Sequence, residues 1–131
     1  MALKQLRATG GLWMNYRRTN VYIDPGPGAI VRIRASREGL EPAALDGIII
    51  THKHMDHAND VNILIETMAE GGFKKRGTLF CPEDAISEDP VVFNFAREYL
   101  ENIVFLKEGG EYTLGDIRFR TPVRHRHPVE T

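Results

Sequence analysis

The sequence is short of several things, and each shortage removes a class of protein. It has a single cysteine, Cys81, among its 131 residues. A lone thiol can neither close a disulfide within the chain nor build a cysteine metal cage. Cys81 follows Thr78-Leu79-Phe80 and precedes Pro82, which reads as a small buried residue at a strand end. No apolar run approaches the roughly 20 residues that a membrane-spanning helix needs. The N-terminal residues also lack the apolar centre of a secretory signal, so a cytoplasmic protein with no membrane partner is expected. Net charge is −1, which gives no broad field of either sign to hold nucleic acid or an anionic bilayer. The local basic groups Arg17-Arg18 and Lys74-Lys75-Arg76 read as solvated loops. Internal repeats, low-complexity tracts and linkers are missing too. With 42% hydrophobic and 27% charged residues, what remains fits one globular domain with a real core.

Against that plain background one stretch stands out, Thr51-His52-Lys53-His54-Met55-Asp56-His57, which holds three of the five histidines. Before it, Gly47-Ile48-Ile49-Ile50 is the short apolar, β-branched run of a buried strand. After it, Val61, Leu64, Ile65 and Met68 recur at the spacing of an amphipathic helix over 59–68. The cluster therefore falls on a turn between a strand end and a helix start, where α/β sheets place their ligands. In an extended stretch His52 and His54 point to one side and Lys53 and Met55 to the other, so both imidazoles can close on one metal ion. Asp56 and His57 come next as the chain turns into the helix and can swing toward a second position nearby. Imidazole nitrogens and a carboxylate oxygen suit Zn²⁺ best, with Mn²⁺ or Fe²⁺ as alternatives. A lone histidine is usually a surface or satisfied core residue. Four donors in six positions, directly after an apolar strand, are much harder to explain that way.

The rest of the chain reads as alternating strands and helices. Residues 12–16 and 20–24 form a hairpin around Arg17-Arg18-Thr19, ended by Pro25-Gly26-Pro27-Gly28. A short helix is expected over 29–36 with Ile30, Ile33 and also Val31 inward, then a turn of helix over 42–45. Thr78 to Cys81 is a strand and 82–89 a polar loop. Pro90 opens a helix with Val92, Phe95, Ala96 and Tyr99 on one face. Strands over 103–106, 111–114 and 117–121 are separated by Gly109-Gly110 and Gly115-Asp116. This is an α/β layered pattern. A second histidine pair, His125 and His127, would share one face if extended, so either could join the site built by 52–57.

His52-Lys53-His54-Met55-Asp56-His57 resembles the H-x-H-x-D-H motif of the metallo-β-lactamase superfamily, and its ribonuclease Z and phosphodiesterase-like branch in particular. Val21-Tyr22-Ile23-Asp24-Pro25-Gly26-Pro27-Gly28 is similar to that family's strand ending in an aspartate and a glycine-rich turn. The resemblance implies two face-to-face β-sheets with helices outside each, an αββα sandwich, of which residues 1–131 supply about the first half. It implies that the domain is incomplete at its C-terminal end, and that the usual first strand is absent or reduced. It also implies a dinuclear Zn²⁺ site, with His52, His54 and His127 on one ion and Asp56 and His57 on the other. His127-Pro128-Val129 suits the family's downstream histidine better than His125, which is then a neighbour of the ligands or of the substrate. Asp24 is expected to shape the turn rather than bind metal.

The activity implied is hydrolysis by a metal-activated water, with Asp56 as a ligand that also orients or deprotonates that water. Phosphodiesters are the expected substrates, either small nucleotides or RNA. Esters, thioesters, lactones or lactams are the alternative on the same scaffold, and a non-catalytic metal-binding protein is a third. The 131-residue chain alone is expected to be inactive. As an isolated half it should expose sheet edges and apolar faces, and so self-associate or pair with a complementary half.

Overall fold

The computed structural model describes residues 11–122. Strands β1 (Leu12–Tyr16) and β2 (Thr19–Ile23) pair antiparallel, with Leu12 opposite Ile23 and Tyr16 opposite Thr19. Only Arg17 and Arg18 form the turn, and Arg17 takes the left-handed conformation (φ 55°) that a two-residue hairpin favours. The second strand therefore begins at Thr19, one residue earlier than the sequence suggests. It stops at Ile23 because Asp24 also turns left-handed, at φ 54°.

Strands β3 (Gly47–Ile49), β4 (Thr78–Cys81) and β5 (Asn102–Phe105) add in parallel, giving one sheet in the order β1-β2-β3-β4-β5. Parallel strands need cover on both faces, and their sequences are accordingly apolar throughout. Tyr22, Ile48, Ile50, Leu79 and Cys81 enter a core on one face, while Val21, Ile49 and Phe80 enter a second core on the other. Cys81 is buried at its strand end, as expected.

Helices cover the first face. They are α1 (Ala29–Arg34), α2 (Met55–Ala58), α3 (Val61–Met68) and α4 (Asn94–Arg97), with a 3₁₀ turn at Pro42–Ala44. In α1 Ile33 is buried and Val31 faces out. In α3 the stripe Val61, Leu64, Ile65 and Met68 is fully buried, worth about 1.5–3 kcal/mol per side chain. The helix expected over 59–68 starts two residues later, at Val61, and a separate single turn, α2, precedes it. At Asp60 the backbone N–H donates to Pro25 O (2.9 Å), and the Asp60 carboxylate accepts from Ile30 N (3.3 Å). The helix is broken there to join the start of α1.

The helix expected from Pro90 is cut to one turn. Asn62 accepts from Phe93 N (2.8 Å) and donates to Val91 O (2.7 Å), holding 91–93 outside the helix. Val92 and Ala96 are buried and Tyr99 packs against the core, but Phe95 is 55% exposed, so the expected apolar face lacks that one residue.

A second sheet, the hairpin β6 (Gly110–Leu114) and β7 (Ile117–Thr121), covers the other face. Leu114 and Ile117 pack on Val21, Ile49 and Phe80, and Phe119 meets Phe80 edge-on at 5.0 Å. The layers are thus helix, sheet, sheet. Among the described residues, a cavity of about 310 Å³ lies between the sheets, lined by Met14, Ile23, Ile49, Thr51, Leu106 and Phe119.

Tyr22 is fully buried, and burial, helped by Asp60 and opposed by Arg32, pushes its phenol up to about 12. The folded chain then holds this proton more tightly than the unfolded chain does. The contribution is intact below about pH 10 and is lost as pH rises toward 12. Urea midpoints at about pH 9 and about pH 11.5 should fall further apart in the wild type than in Tyr22→Phe.

Candidate metal centre

The site is built where β2 and β3 end side by side, at the carboxyl edge of the parallel strands. Ile23 pairs with Ile49, so the next residues, Asp24 and those from Ile50 onward, leave the sheet at one level. Asp24 N donates to Ile49 O at 2.8 Å, and the left-handed turn at Asp24 carries its carboxylate back across the edge. There it accepts from Thr51 N (2.8 Å) and from Thr51 Oγ1 (2.9 and 3.1 Å to its two oxygens). It also lies 3.1 Å from His57 Nδ1.

These contacts decide which ring nitrogens face outward. Ionised Asp24 can only accept, so His57 Nδ1 carries the proton between them and Nε2 is left with its lone pair. Thr51 Oγ1 is 3.0 Å from His52 Nδ1. Its own hydrogen is directed to Asp24, so it accepts from His52 Nδ1–H and leaves His52 Nε2 as an electron-pair donor. One carboxylate thus orients two imidazoles, one directly and one through a hydroxyl.

The rings gather as the spacing suggests. The centroids of His52 and His54 are 5.1 Å apart, and those of His52 and His57 are 4.2 Å apart. Lys53 goes elsewhere, to Glu88 O at 3.0 Å, and Met55 is 70% exposed. His52, His54 and Asp56 each offer one donor atom, all within 4.8 Å of one another. Two bonds of about 2.1 Å at a tetrahedral angle set donor atoms about 3.4 Å apart. The set is looser than that, but its donor types and its gathering at one place suit a divalent ion, and Asp56 is on the exposed side. Asp56 also sits 3.4 Å from His57 Nε2. It is therefore shared between the His52–His54 pair and His57, whereas the sequence alone groups it with His57. His125 and His127 lie outside the described residues.

Thr51 is the site residue that sequence reasoning misses. A hydroxyl directly before the first histidine, at the end of an apolar strand, is the one signal that could have found it. Asp24, which the sequence marks only as a turn residue, also makes the contact to His57 that no local pattern announces.

Comparison with known proteins agrees with this fold. Residues 19–131 match the family described as the beta-lactamase superfamily domain. The chain is 31% identical over 131 residues to the uncharacterized protein MJ1374 of Methanocaldococcus jannaschii, covering 96% of this chain and 48% of that protein. It is 30% identical over 105 residues to a ribonuclease Z of Aeropyrum pernix, covering 80% of this chain and 32% of that one. It thus spans about half or less of these relatives' lengths. Among solved structures, the metallo-beta-lactamase fold protein YhfI from Bacillus subtilis superposes with a TM-score of 0.70 at 18% identity, covering 92% of this chain and 48% of that chain. A diphosphatase from the PhnP family gives a TM-score of 0.62 at 25% identity, covering 92% and 46%. With its layered sheets, its donor cluster at the strand ends and this match over most of its length, the chain belongs to the metallo-β-lactamase superfamily.

Proposed function

We propose that the whole protein is a metal-dependent phosphodiesterase that uses two Zn²⁺ ions. The observation that carries this is the convergence of His52, His54 and Asp56 donors within 4.8 Å, with His57 beside them. His52, through Nε2, and His54 would hold one ion, with His127 as the third nitrogen. His57, through Nε2, and Asp56 would hold the other. Ions bound there would supply Lewis acidity to a phosphoryl oxygen and bring a water's pKa toward neutrality. Asp56, acceptor-only when ionised, orients that water and can take its proton.

The choice of phosphodiesters over acyl compounds is supported by the relatives, one a ribonuclease Z and one a diphosphatase. A small nucleotide or a single RNA end suits a chain of net charge −1 better than a long duplex. No helix among the described residues is long and apolar enough to cross a membrane, and we place the protein in the cytoplasm. The test is a panel run on the whole protein with Zn²⁺ or Mn²⁺: bis-p-nitrophenyl phosphate against p-nitrophenyl acetate, thioesters and lactones. Metal-dependent phosphodiester turnover is expected. Turnover of acyl substrates alone would move the protein to ester or lactone hydrolysis, and two bound ions without any turnover would make it a binding protein.

A further inference from the structure

We infer that Lys53 is a positioning residue for the metal centre, acting from the side opposite the two histidines it separates. The inference rests on the metal reading of the cluster. His52 and His54 are held on one face of the stretch by alternation, with their rings 5.1 Å apart. Lys53 leaves by another direction, and its ammonium donates to Glu88 O at 3.0 Å.

That carbonyl is not on a loose loop. The segment 86–93 is fixed to the body at several points: Val91 N and Val92 N donate to Ala85 O, and Asn62 brackets Val91 and Phe93. Arg97 donates to Ile86 O (2.7 Å) and to Val92 O (3.1 and 3.2 Å). Lys53 therefore ties the donor stretch to a rigid wall. Pinning the middle side chain of an extended triplet restricts rotation of that triplet about its own axis. That rotation would carry both imidazoles away from Asp56. The tether also draws a positive charge away from the place where cations are to bind.

The sign of one measurement separates this role from the others. Removing the Lys53 charge relieves repulsion toward a dication, so a purely electrostatic role predicts that Lys53→Met binds metal more tightly. A positioning role predicts the reverse, a loss of about tenfold, the size usual when a group that orients ligands is removed. Lys53→Arg keeps charge and donor and should stay within about twofold of the wild type. Zn²⁺ affinity is read by competition with a chromophoric chelator, and the visible spectrum of the Co²⁺ form reports the geometry. Thermal unfolding of the metal-free proteins should give the same midpoint for all three, since Lys53 lies in no core cluster. Tighter or unchanged binding by Lys53→Met, with the wild type binding normally, overturns the inference and leaves the metal site standing. A whole wild-type protein that binds no ion overturns both.

Discussion

If His54 is a ligand as proposed, its exchange for alanine should lower Zn²⁺ affinity by about 10²- to 10³-fold while the metal-free chain keeps its stability. The free energy of a four-ligand zinc site is about 10–16 kcal/mol, or roughly 3 kcal/mol per ligand, and each 1.4 kcal/mol is about tenfold. His54 stands at the start of α2, half-exposed, and belongs to neither core cluster. Its removal opens no buried cavity, so the unfolding free energy should stay within about 0.5 kcal/mol of wild type. Isothermal titration and a urea melt on the same preparations give both numbers. If the histidines were no more than a solvated polar face, the wild type would bind Zn²⁺ weakly and His54→Ala would bind it equally well. A ligand in the cluster and a surface histidine thus differ by a factor that titration reads directly.

The sequence made the donor cluster legible because everything that defines it is local. Alternation places His52 and His54 together, the apolar strand before them fixes where the turn falls, and the stripe of α3 fixes the helical direction of the chain beyond it. The signals that misled were also local, and tertiary contacts overrode them. Phe95 sits at helical spacing from Val92 and Tyr99, yet it faces solvent because Asn62 holds 91–93 outside the helix, which starts only at Asn94. The break at Asn59-Asp60 exists because Asp60 bonds to Pro25 and Ile30, at least 30 positions away in sequence. What the sequence could not show at all is the bond from Asp24 to Thr51 and His57. It depends on the parallel register of Ile23 with Ile49 and on a left-handed turn at a non-glycine residue.

Replacement of Asp24 separates what that carboxylate does for the fold from what it does for the metal. Its side chain is only 14% exposed and receives hydrogen bonds from Thr51 N, Thr51 Oγ1 and His57 Nδ1. Asparagine tolerates the left-handed backbone and keeps one oxygen for Thr51, but it meets His57 with an amide that donates. His57 must then turn, or carry its proton on Nε2, and in either case the lone pair leaves the site. Asp24→Asn should therefore lose about 10- to 100-fold in metal affinity with a change in stability below about 1 kcal/mol. Alanine suffers in both respects. It removes the exposed Thr51 N–H hydrogen bond, worth about 0.5–1.5 kcal/mol net, and it adds about 1–2 kcal/mol for holding a β-carbon at positive φ. Glycine removes the same acceptor without that strain, so Asp24→Gly should be more stable than Asp24→Ala by the second amount alone. Urea melts and Zn²⁺ competition on the three variants resolve these contributions. Should Asp24→Asn bind metal as tightly as the wild type, Asp24 serves the turn only, and His57 takes its orientation from Asp56.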